Sequence, residues 1–100
     1  MTLVNVVSLK RLQACWLLHA SAKKPMKIWY RLARKASWSD AAEVVEALTN
    51  VSVLNDNRFV FNIKGNDFRI VAKIHFKTRT LFVRFAGSHT EYDQIDANKV

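Results

Sequence analysis

An α+β sandwich, with helices packed on one face of a mainly antiparallel sheet, is the fold class this sequence predicts, and three observations carry it. Apolar residues recur at spacings of three and four between residues 9 and 48, then at a spacing of two between residues 58 and 85. The order is therefore an opening strand, a block of helices and a strand meander, which segregates the helices to one side of the sheet. Third, half of the 100 residues are hydrophobic and only 2 are Gly and 1 is Pro. A chain of this length buries roughly 65% of its extended surface on folding, enough for one core and one domain over residues 1–100. The same composition excludes collagen-like, low-complexity and disordered chains.

Met1 to Val7 is apolar and β-branched and reads as a short buried strand. Ser8 offers an N-cap, and Leu9, Leu12, Trp16 and Ala20 lay an apolar stripe along a first helix ending near Ala22, with Lys23 and Lys24 favouring its C-terminus. Pro25 suits the first turn of a second helix, with Ile28, Trp29, Leu32 and Ala33 inward and Lys27, Arg31, Arg34 and Lys35 in solvent. A third helix starts at Ser39, whose hydroxyl is positioned to cap it. Asp40 and Glu43 occupy its first turn, and Val44, Val45 and Leu48 form its apolar side.

The first meander strand is Arg58 to Ile63, with Phe59, Phe61 and Ile63 on its core side. Lys64, Gly65 and Asn66 make the turn into a second strand, Asp67 to Phe76, which points Phe68, Ile70, Ala72, Ile74 and Phe76 inward. After a connection at Lys77 to Arg79, the third strand carries Leu81, Val83 and Phe85 inward and Phe82 and Arg84 outward. A last helical segment, Thr90 to Ala97, presents Tyr92 and Ile95. The expected core is Trp16, Trp29, Leu32, Phe59, Phe61, Phe68, Ile70, Ile74, Leu81, Val83 and Phe85.

Charge is the most informative bulk property. Sixteen Lys and Arg against eight Asp and Glu give a net charge of +8, which points to a polyanionic partner, nucleic acid foremost. Solubility or an acidic protein partner explains the same excess. Cys15 is unpaired in the chain, which excludes an intramolecular disulfide framework and favours a reducing cytoplasm. The charge-free runs at 1–9 and 12–22 are too short to span a membrane, and the basic pair Lys10-Arg11 follows an apolar run instead of preceding it, unlike a signal peptide. A soluble protein with no membrane partner is expected.

The outward positions of the meander, Arg58, Asn62, Arg69, Lys73, His75 and Arg84, form a basic open face opposite the core. Antiparallel sheets commonly leave one face wet, so this pattern fits an ordinary solvated face as well as a phosphate-binding one. Beyond the last strand, Ser88-His89-Thr90-Glu91-Tyr92-Asp93 sets His89 and Tyr92 on one side of a helical turn. Such a pair can share proton transfer beside an arginine that neutralises phosphate charge. Equally, His89 can serve as a helix cap and Tyr92 can pack as an amphipathic core residue. Cys15, inside an apolar stripe, reads as a small core residue. His19, His75 and His89 lack zinc-site spacing, and no Gly-rich phosphate loop occurs, so no metal or nucleotide cofactor is expected.

The segments NRFVFNIKGNDFRIVAKIHF from Asn57 and VRFAGSHTEYDQID from Val83, with WYRLARKASWSDAAEV from Trp29, resemble the HigB toxins of bacterial type II toxin-antitoxin systems, a branch of the RelE-like mRNA interferases. The resemblance implies a compact RelE-like fold and metal-independent cleavage of mRNA in the A site of the 30S ribosomal subunit. It also implies a HigA-type antitoxin partner and contact with operator DNA only through that antitoxin. Carried onto this chain, it suggests Arg69 and Arg84 as phosphate stabilisers and His89 and Tyr92 as general base and acid in either order. Lys64, Lys73, Arg58 and Asn62 would add RNA and phosphate contacts. Two rivals are a non-catalytic RNA-binding module, for which Phe82 is the single aromatic placed on the basic face, and a protein-interaction domain for an acidic partner.

Overall fold

The computed structural model describes residues 5–48, 50–65 and 67–100, so residues 1–4 of the expected strand Met1–Val7 and the turn residue Asn66 lie outside the described residues. In chain order the elements are β1 (Asn5–Val7), α1 (Leu9–Leu18), a 3-10 turn (Ala20–Ala22), α2 (Lys23–Lys35), α3 (Ala41–Ala47), β2 (Val51–Val53), β3 (Arg58–Ile63), β4 (Phe68–His75), β5 (Thr80–Ser88) and α4 (His89–Tyr92). The strands form one sheet in the order β1-β5-β4-β3-β2. β1 runs parallel to β5 and every other pairing is antiparallel. The class is α+β, as the change of period implied.

The helical layer departs from the sequence reading in three places. Ser8 adopts a left-handed conformation (φ 73°) and its hydroxyl does not cap α1. The helix breaks at His19, which is extended, and α2 begins at Lys23, so Lys23 and Lys24 open α2 rather than close α1. α1 buries Leu12 and Cys15, whereas Ala20 is exposed and Trp16 only half-buried. α2 buries Met26, Trp29 and Ala33, a row at steps of three and four; Ile28 and Leu32 remain 53% and 40% exposed. The expected inward set was thus rotated: Met26, Trp29 and Ala33 take the buried side, and the larger aliphatics are left on the flank. At α3 the cap is Asp40 and not Ser39. The Asp40 carboxylate accepts the Glu43 N–H at 3.0 Å, and the Ser39 N–H donates back to the Glu43 carboxylate. Val44 is buried and Val45 exposed.

β2, three residues long, was not anticipated, since Val-Ser-Val is too short for its alternation to stand out; it pairs Val51 with Phe61 and Val53 with Phe59. The main core lies between helices and sheet, where Phe59, Phe61, Ile70, Ile74, Leu81 and Val83 are almost fully buried. The Trp29 and Phe61 rings meet edge-on at 5.2 Å.

One irregularity alters the sheet's other side. Ala72 pairs with Val83 and Val71 with Phe85, so β5 carries Arg84 as an extra residue, a β-bulge. Past the bulge the alternation is inverted: Ala86 packs against the main core, and Phe85, expected inward, joins Val60 and Val71 on the outer side. Leu54, Tyr92, Ile95, Ala97 and Val100 pack against these residues. The middle of the outer face is therefore a second apolar cluster beneath the C-terminal segment, and the expected continuous basic face is divided in two. The expected helix over Thr90–Ala97 is correspondingly the single turn of α4, followed by irregular chain.

Candidate active site

At one end of the outer face, Asn62 pairs with Arg69 and Arg69 with Gly87, a row across three strands. A Cβ at Gly87 would stand 2.9 Å from Glu91 Oε1 and 2.7 Å from Phe85 Cζ, so glycine is what lets the turn after β5 lie this close. That turn is α4. Ser88 Oγ accepts the Glu91 N–H at 3.2 Å and Glu91 Oε1 accepts the Ser88 N–H at 2.8 Å, a reciprocal capping box. The same carboxylate oxygen lies 3.0 Å from His19 Nε2, a bond in which a protonated Nε2 donates across 72 positions of sequence. The His19 ring packs on Phe68 at 5.7 Å. The hydrogen bond from the Ser88 N–H, helped by His19, holds the Glu91 carboxyl below the usual glutamate range.

With α4 so fixed, the His89 N–H donates to the Asp67 carbonyl at 2.9 Å. The His89 side chain is half-exposed, with Nε2 3.5 Å from Asp93 Oδ2. Tyr92, one turn on, has the Arg69 guanidinium over its ring at 4.7 Å and Phe85 at 6.2 Å. Arg69 Nε is buried without a hydrogen-bond partner among the described residues, leaving part of a cationic fork unsatisfied by protein. Lys64 sits in the adjoining turn, with Nζ 3.9 Å from Asp67 Oδ2. Arg84, at the bulge, is exposed and makes no ion pair among the described residues. It stands three residues before Gly87 on β5, or about 10 Å of strand.

The structure thus brings Arg69, His89, Tyr92, Asn62 and Lys64 to one end and leaves Arg84 apart from them at the bulge. Arg58 and Lys73 are elsewhere. They pair with each other in register at the opposite end of the face. There Lys73 Nζ lies 2.8 Å from Asp56 Oδ2, Arg58 Nη1 lies 3.4 Å from the same atom, and Arg58 Nε donates to the Val100 carbonyl at 3.1 Å. The Lys73 hydrogen bond and charge hold the Asp56 carboxyl low. His75 is exposed, edge-on to Phe82 at 5.9 Å.

Sequence reasoning missed Glu91, His19 and Gly87 as parts of this end. The Ser88-x-x-Glu91 spacing is a capping-box signature and could have identified Glu91. His19, weighed from the sequence as a zinc ligand and set aside, makes a contact no local pattern encodes. Cys15 is buried as expected, and burial pushes its thiol up to about 11.

The fold and this site define a small basic α+β domain that presents an arginine, a histidine and a tyrosine around one exposed sheet end. The profile of the HigB_toxin family, the RelE-like toxic component of a toxin-antitoxin system, matches residues 22–95, and the chain belongs to that family. It is 38% identical over 50 residues to the mRNA interferase toxin HigB of Escherichia coli (strain K12), a match covering 50% of this chain and 47% of that protein. It is 22% identical over 94 residues to the mRNA interferase HigB of Escherichia coli O6:H1, covering 92% and 91% respectively. The match to the first of these relatives thus spans about half of that protein's length. No described helix is long and apolar enough to cross a membrane.

Proposed function

We propose that this chain is a toxin that cleaves mRNA on the ribosome, in the A site of the small subunit, and is neutralised by an antitoxin through which alone it meets operator DNA. Its place of action is then the cytoplasm. The observation that carries the cleavage reading is the packing of Arg69 against Tyr92, with half-exposed His89 one turn before it. In the proposed reaction the ribose 2′-oxygen attacks the adjacent phosphorus as the bond to the 5′-oxygen breaks, leaving a 2′,3′-cyclic phosphate and a 5′-hydroxyl. One proton leaves the 2′-hydroxyl and one reaches the departing 5′-oxygen, and His89 and Tyr92 handle them in either order. Asp93 orients the His89 ring. Arg69, whose buried Nε is unpaired, and Arg84 stabilise the charge of the phosphorane. Lys64 and Asn62 hold the flanking backbone, while at the other end of the face Arg58 ties down the Val100 carbonyl and Lys73 the Asp56 carboxylate. The side chains supply both proton transfers, so the scheme calls on no metal.

Single-turnover cleavage on programmed ribosomes tests this reading. His89→Ala and Tyr92→Phe are each expected to slow the reaction by about 10²- to 10⁴-fold, with ribosome binding and Tm little changed. Unchanged cleavage rates in both variants would overturn the assignment. A Tyr92→Phe protein that loses stability but cleaves normally would return Tyr92 to packing against Phe85.

A further inference from the structure

Beside the candidate site, α2 leaves a strip of its surface uncovered. Ile28 and Leu32, one turn apart, are the exposed aliphatics noted above. With Pro25, Trp29, Leu48, Phe61 and Ile63 they line an open groove of about 280 Å³ between α2 and the β3 side of the sheet, which reaches the candidate site at Asn62 and Lys64. On the solvent side of this strip run Lys24, Arg31 and Lys35, all exposed and spaced by seven and four, hence on one stripe of the helix. The stripe is ~16 Å long. No acidic residue lies between Lys23 and Lys35. Two other basic residues of α2 are engaged with aromatic rings, Lys27 over Trp16 at 5.7 Å and Arg34 over Tyr30 at 5.6 Å.

We propose that this groove docks an amphipathic helical segment of the antitoxin, one that sets apolar residues at helical spacing against Ile28 and Leu32 and acidic residues against Lys24, Arg31 and Lys35. Membership of a toxin-antitoxin family supplies the partner, so the inference does not depend on the cleavage chemistry. An apolar floor with a one-sided cationic rim is the complement of an acidic amphipathic helix. Two other occupants fit less well. Aliphatic side chains offer RNA neither a stacking face nor a hydrogen bond, so Ile28 and Leu32 would be wasted on it. A second copy of this chain would bring its own cationic stripe and a net charge of +8 against the first.

The test uses the cognate antitoxin, purified and titrated into the full chain, with two variants whose altered residues are exposed and outside the candidate site. Ile28→Glu/Leu32→Glu is expected to weaken the complex by about 100-fold or more, as removal of central anchors does. Lys24→Glu/Arg31→Glu/Lys35→Glu is expected to weaken it by about tenfold or more and to flatten its salt dependence. Both should cleave mRNA at the parent rate. If the double variant melts early, Ile28→Glu alone is read in its place. Parent affinity in both variants overturns the proposal, and so does an effect confined to the triple variant, which reports diffuse attraction only. Loss of ribosome binding with antitoxin affinity intact assigns the groove to RNA. Failure of the His89→Ala test would remove the cleavage reading without moving these affinities.

Discussion

The two ends of the sheet's outer face carry almost the same chemistry and use it differently. At one end Arg58 and Lys73 converge on Asp56, and Arg58 also ties down the Val100 carbonyl. At the other, Arg69 leans on an aromatic ring, its Nε has no partner among the described residues, and His89 faces solvent beside it. Each end holds two or more basic groups, yet only the second has one, Arg69, with no carboxylate partner among the described residues. A tally of outward-facing lysines and arginines therefore overstates a binding surface unless the nearby carboxylates are placed as well. Asp56 sits in a turn outside the strands, where strand alternation gives no warning of it.

The contrast can be sharpened first where the effect is largest. Arg69→Ala is expected to slow single-turnover cleavage by about 10²- to 10³-fold, the range for losing one preorganised charge stabiliser. Lys73→Ala should leave the rate unchanged and lower Tm slightly. Equal losses from both would mean that the ends act as one surface. A second effect, smaller on rate and larger on stability, is expected from Gly87→Ala. The added methyl displaces the Glu91 carboxylate and costs about 1–3 kcal/mol of stability by overpacking. Misplacing α4 should also lower cleavage by up to about 10²-fold. Thermal melts of this variant beside single-turnover rates separate the two consequences.

The smallest effect is acid sensitivity, and it compares the two ends directly. Glu91 and Asp56 both titrate below their ordinary values of 4.5 and 3.8 when folded. Their contributions are therefore complete above those values and are lost as pH falls through the lowered folded ones. Melts between neutral pH and about pH 3 should show a declining Tm. Asp56→Asn should blunt part of the decline, and His19→Gln another part by weakening the hold on Glu91. An unchanged profile in both variants would show that neither carboxylate is tied as described.

Much of this was legible beforehand, for identifiable reasons. Phe59, Phe61, Phe68, Ile70 and Ile74 alternate on strands long enough for period two to stand out, and each is buried as expected. Phe85 obeys the same alternation but lies past a bulge, and a bulge is a property of the β4–β5 pairing rather than of either strand alone. Ile28 and Leu32 look like core residues by type and spacing, but Met26, Trp29 and Ala33 offer a rival stripe at steps of three and four, and it is this one that is buried. In the candidate site, Arg69, His89 and Tyr92 could be named from strand phase and helical spacing. Glu91 was within reach through its capping box. Its second bond, to His19, depends on α1 ending just where β5 does.

That shared carboxylate has a consequence for motion. A four-residue helix ordinarily frays on a fast timescale, since so short a turn cannot sustain its own hydrogen bonds. Here one glutamate spends the same oxygen on the Ser88 amide and on a ring 72 positions away in sequence. The last turn is thereby tied both to β5 and to the end of α1. Under the proposed cleavage reading, His89 and Tyr92 are held in a preset pose to which the substrate strand has to conform.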